Sequence, residues 1–270
     1  MIVLKILAWA VLALLICALL IVLYAAITAS YKMHRYPLRQ IYEKRKMQDD
    51  YCPLNKVKGR FIELLLLKED DTFYRHRGLF LKGIKEAIKR NLKERRIVSG
   101  GSTITQQLIK NLYFRFHKNI FRKLTEIFMT LKAEKILSKD EILELYINTI
   151  YYGCGTYGIS DAAEYYFGVK PEDMSFNQMF MIMVFLNAPT ARNPLLHPDA
   201  YRDFNKELTE RWAKRGVITK DEVDIINRNL ENGFDPQLRK SADGERKYGK
   251  DILINEKFGV EANASCQPWR

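Results

Sequence analysis

Between Ile6 and Tyr31 the chain carries no charged side chain for 26 residues. As a helix rising 1.5 Å per residue, such a run extends about 39 Å, more than the roughly 30 Å hydrocarbon core of a bilayer. Trp9 near one end, and Tyr24 and Tyr31 toward the other, stand where interfacial aromatics belong. Ala29 offers the small residue that a signal-peptide cut site needs, but the apolar region of a signal peptide runs only about 7 to 15 residues. An uncleaved membrane anchor is therefore expected over residues 1–31.

Which side the remainder occupies is a separate question. Only Lys5 and the amino terminus precede the span, whereas Lys32, Arg35, Arg39, Lys44, Arg45 and Lys46 follow it. The positive-inside rule points the bulk of the chain to the cytoplasm, although large domains translocate largely regardless of charge. The whole chain is basic, with 44 Lys and Arg against 32 Asp and Glu and a net charge of +12. Its 47% apolar and 12% aromatic content excludes wholesale disorder, collagen-like sequence and a multi-span membrane protein. Four cysteines (Cys17, Cys52, Cys154, Cys266) are too dispersed for a disulfide scaffold or a structural zinc site. Pairing of Cys52 with Cys266 outside the cell stays open.

Beyond the anchor, a polar juxtamembrane linker is expected over 32–58, a folded domain over 59–231 and a polar tail over 232–270. Helices are expected from Arg60 to Glu69, Leu79 to Arg95, Thr103 to Phe114, Ile120 to Leu137, Lys139 to Ile150, Ser160 to Tyr166, Ser175 to Leu186 and Asp199 to Arg215. Leu124, Ile127, Phe128 and Leu131 fall at i, i+3, i+4 and i+7, which predicts one buried stripe. Ser138 with Glu141, and Thr219 with Glu222, have the spacing of capping boxes.

Several groups of residues can carry chemistry. Glu69 and Asp70 follow the apolar run Leu64 to Leu67, where partial desolvation would raise a carboxylate's proton affinity toward that of a general base; a solvated acidic helix end is the plainer alternative. Gly100-Gly101-Ser102-Thr103 precedes a helix carrying Gln106, Gln107 and Lys110, so its backbone N–H groups suit an anion such as pyrophosphate, or it is a capped Gly-rich turn. Glu126 lies on a helical face with Arg122 and Lys123, opposite the apolar stripe, as a functional charge cluster or a surface ion pair. A basic amphipathic pattern sets Leu81, Ile84, Ile88 and Leu92 against Lys82, Lys85, Lys89 and Lys93, suiting a membrane surface or plain solvent. Gly153-Cys-Gly-Thr-Tyr-Gly158 fits G-x-G-x-x-G, but a helix pattern rather than a strand precedes it, so a loop is expected instead of a dinucleotide site.

Taken in order, Glu69-Asp-x-x-Phe-x-x-His76-x-Gly78, Gly100-Gly-Ser-Thr-Ile-Thr-Gln-Gln107, Arg122-Lys-x-x-Glu126 and Ile142-Leu-Glu-Leu-Tyr-Ile-Asn148, followed by Tyr157 to Phe167, resemble the peptidoglycan glycosyltransferase motifs. The resemblance runs from about Phe61 to Trp212 and is nearest to the monofunctional, membrane-anchored members. The transpeptidase signatures Ser-x-x-Lys and Lys-Thr-Gly do not occur in this chain. The resemblance implies a mainly α, lysozyme-like, two-lobed domain behind a single N-terminal transmembrane helix. It further implies polymerisation of lipid II into β-1,4 glycan with inversion and release of undecaprenyl pyrophosphate, on the outer face of the bacterial cytoplasmic membrane.

On that resemblance Glu69 is the general base and Glu126 sits near the donor pyrophosphate. Ser102, Gln106, Lys110 and Lys118 match donor-site positions, Thr103, Gln107, Arg122 and Lys123 are further substrate-binding residues, and a divalent metal, Mg or Mn, assists in some members. Lys118 stands where many members carry Arg, which keeps the charge and loses the bidentate fork. Expected partners are lipid II, the growing lipid-linked glycan, the membrane and cell-wall synthesis proteins, with no nucleic acid. A direct displacement needs room for two sugars, so the Glu69 and Glu126 carboxyl groups should be farther apart than the about 5 to 5.5 Å of retaining hydrolases. Two rivals are a lytic, lysozyme-type enzyme and a non-enzymatic, membrane-anchored basic binding protein.

Overall fold

A computed structural model describes residues 2–80, 83, 85, 92, 101–114, 120–186, 193 and 197–231. Among these residues ten α-helices are delimited: α1 Ile2–Arg35, α2 Leu38–Lys46, α3 Gly59–Glu69, α4 Ile104–Tyr113, α5 Ile120–Ile136, α6 Lys139–Thr149, α7 Ile159–Phe167, α8 Phe176–Phe185, α9 Pro198–Lys214 and α10 Lys220–Glu231. Tyr151–Gly153 (β1) and Thr156–Tyr157 (β2) form one small antiparallel hairpin. The mainly α expectation holds. Most of the Leu79 to Arg95 helix, Gly100, Lys118, Cys266 and the tail from residue 232 lie outside the described residues.

The chain divides into two compact units, Met1–Glu43 with Phe73–Ile142, and Lys44–Thr72 with Leu143–Arg270. In the first unit, α1 is long and apolar enough to cross a membrane, with Ile2 to Tyr24 presenting exposed Leu, Ile and Val side chains. One face of its C-terminal third is packed against protein. Ala25 and Ala29 are fully buried, small enough to let α1 approach α5 closely. Tyr24 stacks on Phe121 with ring centroids 5.0 Å apart, and Lys132 donates to Ser30 at 2.6 Å. Ile104, Leu108, Ile109 and Leu112 of α4 are fully buried and form the core with α5.

On α5 the buried face is not the one the apolar spacing indicates. Leu124, Ile127 and Phe128 are half-buried and Leu131 is 38% exposed, while Thr125, Glu126, Met129, Thr130 and Ala133 are buried. Two threonines tolerate that burial because their hydroxyls donate back along the helix, Thr125 to Phe121 O at 3.0 Å and Thr130 to Glu126 O at 2.8 Å.

In the second unit α8 is the central helix. Met179 to Val184 are all buried, as a helix apolar on every side must be, and α3, α9 and α10 pack against it. Phe180 meets the Trp212 ring edge-on at 5.9 Å. Segment 44–58, expected as a polar linker, is folded into this unit. Arg45 is completely buried, its Nε donating to Asn148 O at 2.9 Å and its Nη2 to Asp50 Oδ2 at 2.8 Å. Asn148 in turn accepts from Cys52 N at 2.9 Å and donates to Cys52 O and Glu144 O at 2.8 Å. Glu144 accepts from Leu54 N. Polarity predicted a solvated strand of chain; a satisfied network lets the same polarity lie inside.

The expected caps at Ser138 and Thr219 are present, each side chain bonding the N–H three residues on while its glutamate returns the bond. The Gly153 to Gly158 segment, expected as a loop directly after a helix, is instead preceded by the short strand β1 and makes the antiparallel β1–β2 hairpin, which has no parallel βαβ unit. Cys154 and Gly155 turn the hairpin with φ of 49° and 78°, and Gly158 brings its Cα against Asn148 O, where an added Cβ would stand 2.7 Å away. No dinucleotide fingerprint is present in that geometry.

Candidate active site

In the first unit the loop entering α4 is held from within. Thr103 forms a capping box with Gln106, its Oγ1 accepting from Gln106 N at 3.2 Å and its N donating to Gln106 Oε1 at 3.1 Å. The same hydroxyl donates to Gly78 O at 2.6 Å. Thr103 and Gln106 are both buried, so these two expected substrate-binding residues have polar atoms committed to shaping the loop. Ser102 is half-buried and its Oγ accepts from Lys123 Nζ at 3.3 Å. Gln107 is half-buried and Lys110 exposed on the same helix.

Lys123 also donates to Glu126 Oε1, and Arg122 Nη1 donates to Oε2 at 3.0 Å, so each oxygen meets a different cation. The expected i−3 and i−4 pairing is there, on the face opposite the apolar stripe. Its environment is not that of a surface ion pair, because the Glu126 side chain is 2% exposed while Lys123 is 39% exposed. Phe114 supports the guanidinium of Arg122, 5.9 Å from its ring centroid. A buried carboxylate thus holds two cations, one of which reaches outward beside a serine hydroxyl. That combination can receive an anionic group without rebuilding.

Glu69 belongs to the second unit. It is the last residue of α3, which ends because Asp70 leaves helical geometry while still donating its N–H to Leu66 O at 2.8 Å. The Glu69 side chain is 1% exposed. Burial, from which basicity was expected, is present, together with a cation that sequence reasoning did not include: Lys68 Nζ lies 2.8 Å from Oε1 and its side chain is 8% exposed. Two buried phenols share this environment. Tyr146 is pushed well above its ordinary range by burial first and then by the charge of Glu69, with Tyr152 and Asp70 adding to it. Tyr152 rises by burial, then through Cys52 and Glu69. The signal for Lys68 was its position ending an apolar run; nothing local marked the tyrosines.

His76 has the structural role that is commoner for a lone histidine, accepting at Nδ1 from Gly78 N at 3.1 Å and packing against Phe73 and Phe80. Among the described residues no three of His, Cys, Asp and Glu converge, and both Glu126 oxygens already meet cations. This donor set does not fit a resident divalent ion.

Comparison with known proteins agrees with the ordered motifs. A sequence model of the Transglycosylase family matches residues 35–213, a span that includes α2 and the Arg45 segment. The chain is 38% identical over 171 residues to penicillin-binding protein 4 of Bacillus subtilis, covering 63% of this chain and 27% of that protein. It is 37% identical over 189 residues to penicillin-binding protein 1A of Pseudomonas aeruginosa, covering 67% and 23%. A Cupriavidus necator protein whose name includes transglycosylase is 37% identical over 175 residues, covering 65% of this chain and 75% of that one. The chain spans about a quarter of the length of these two penicillin-binding proteins. It belongs to the peptidoglycan glycosyltransferase family, with the lysozyme-like fold of that family.

Proposed function

We propose that the chain polymerises lipid II into β-1,4-linked glycan while anchored in the cytoplasmic membrane by α1, with the rest of the chain outside. The observation that carries this reading is the Glu126 group: a buried carboxylate holding Arg122 and Lys123, with Lys123 reaching Ser102, in a chain of this family. The cations and Ser102 receive the donor's pyrophosphate. Glu69 takes the proton from the acceptor's 4-hydroxyl. That oxygen bonds to the donor's C1 as the bond from C1 to the phosphate oxygen breaks, and the electron pair leaves on undecaprenyl pyrophosphate, where positive charge stabilises it. One displacement converts an α-linked donor to a β product. No acid is needed at the leaving group, and no step is assigned to a metal. Lys110 and Lys118 are proposed to add donor-side charge. Contacts with cell-wall synthesis proteins belong to the same reading. An extracytoplasmic site opposes the local charge bias, and the substrate's location is the reason for preferring it.

The test is incubation of the purified full-length protein with labelled lipid II, followed by sizing of the products. Wild type should yield long glycan, and Glu69→Gln none, with donor binding retained, because an amide keeps the shape and cannot accept the hydroxyl proton. Release of fragments from purified cell wall would favour the lytic rival, and unchanged function in Glu69→Gln would favour a binding protein. A reporter after Arg270 found in the cytoplasm would remove the lipid II reading.

A further inference from the structure

Lys32 is the first charged residue after the span, and it does not hang into solvent. It is half-buried; its Nζ lies 3.4 Å from Tyr113 O and 5.2 Å from the centroid of the Phe114 ring. That ring is the one against which the guanidinium of Arg122 rests, at 5.9 Å. The anchor helix thereby brings a cation to the same aromatic side chain that supports the Glu126 group. Its placement is fixed by packing on both sides: Ala29 and Met33 are buried, Ser30 accepts from Lys132, and Tyr113 Oη donates to Tyr36 O at 2.7 Å.

Among the described residues Lys32 has no carboxylate partner. Arg122 and Lys123 both bond Glu126, and Lys32 adds a cation at the Phe114 ring on which Arg122 rests. An ammonium has three donors, of which one faces the Tyr113 carbonyl and the aromatic face engages the charge more diffusely. Half-burying a cation without a counter-ion is unfavourable unless an anion completes the site. Lys32 follows Ala29 by three residues, about 4.5 Å along the helix, which is the depth of lipid head groups when the span ends there.

We propose that Lys32 is a substrate-binding residue contributed by the membrane anchor itself, and that it binds the pyrophosphate of a polyprenyl-linked donor at the membrane surface together with Arg122 and Lys123. The inference rests on the glycosyltransferase reading and adds to it a role for the anchor beyond tethering. The shared chemistry is a lipid-borne phosphate, for which a bulk anionic phospholipid is the other source.

The test uses full-length wild type, Lys32→Gln and Lys32→Arg in phosphatidylcholine vesicles with or without phosphatidylglycerol, with lipid II as substrate and undecaprenyl pyrophosphate as competitor. Lys32→Gln should raise KM for lipid II roughly tenfold, the size of one lost charge-assisted contact, and weaken inhibition by undecaprenyl pyrophosphate similarly. Its kcat should stay near wild type, and Lys32→Arg should recover most of the loss. The result should not depend on phosphatidylglycerol; a defect confined to vesicles containing it would assign Lys32 to bulk lipid and overturn the proposal. An unchanged KM, or a loss of activity matched by a fall in melting temperature in both variants, would overturn it too. A wild type inert toward lipid II would instead refute the underlying reading.

Discussion

Arg45→Met tests whether the network at residues 44–54 holds the second unit together. Arg45 is 0% exposed, and its guanidinium meets Asn148 O at 2.9 Å, Gln48 Oε1 at 2.9 Å and both oxygens of Asp50. Methionine retains much of the stem but leaves Asp50 without a counter-charge and the Asn148 carbonyl without this donor. Removing one partner of a buried pair costs about 3 to 5 kcal/mol. Asp50 is 23% exposed and regains some water, so about 3 kcal/mol is expected. For a chain of this size that lowers the melting temperature by about 6 to 12 °C. Adding Asp50→Asn removes the orphaned charge and should recover about 1 kcal/mol, a coupling read from the double-mutant cycle. The assay is thermal unfolding in detergent, followed by circular dichroism. A fall of less than about 2 °C, or a double variant no more stable than Arg45→Met, would refute the argument.

Two further outcomes follow from particular contacts. Gly78 has φ of +86°, and a Cβ there would stand 2.8 Å from Thr130 Cγ2 and 2.9 Å from Glu134 Cγ, so Gly78→Ala should cost about 2 kcal/mol or more; a melting temperature equal to wild type would contradict this. Glu141 is held below the usual carboxylate range chiefly by the hydrogen bond from Arg39, and Glu222 is held there by Arg60 and Thr219 although burial, the largest influence, pushes the other way. Depressed carboxylates stabilise the fold above their unfolded value of 4.5 and lose that contribution as pH falls through the folded value. Stability should therefore decline on acidification below about pH 4.5, with a shallower slope in Arg39→Ala/Arg60→Ala; an identical slope in that variant would remove these two pairs as the cause.

Local signals carried much of the helical order. Ser138 with Glu141 and Thr219 with Glu222 open helices because a cap depends only on residues three apart, and Glu126 finds Arg122 and Lys123 for the same reason. What failed were inferences about the medium. Spacing shows that Leu124, Ile127, Phe128 and Leu131 share a face of α5, but not what covers it, and the face that the protein covers is the one with Thr125, Glu126 and Thr130. The same limit made residues 32–58 look like a linker. A buried Arg45 depends on Asn148, more than a hundred positions away, and no local pattern announces such a partner. For Glu69, the apolar run before it foretold burial, while the ion pair with Lys68 depends on a side-chain geometry that adjacency alone does not fix.

That difference between pairing and burial bears on how the two carboxylates divide the chemistry. Glu126 Oε1 accepts from Lys123 and Oε2 from Arg122 inside a 2% exposed site. The proposed division gives Glu126 the donor-side cations and Glu69 the acceptor's proton. Glu126→Gln then turns one acceptor oxygen into an NH2 group facing a cation's N–H donors, inside a site with little water to separate them. The fold should lose about 2 to 3 kcal/mol, by analogy with a buried pair broken on one side and partly relieved by the exposed Lys123. Activity should fall further than stability explains, with KM for lipid II raised as the cations lose their fixed positions. Thermal unfolding and steady-state kinetics on the same preparation separate the two effects. Glu69→Gln gives the contrast, because its loss should lie in kcat. If Glu126→Gln lowers kcat alone, with unchanged melting temperature and KM, then Glu126 takes part in proton transfer and the division of roles is wrong.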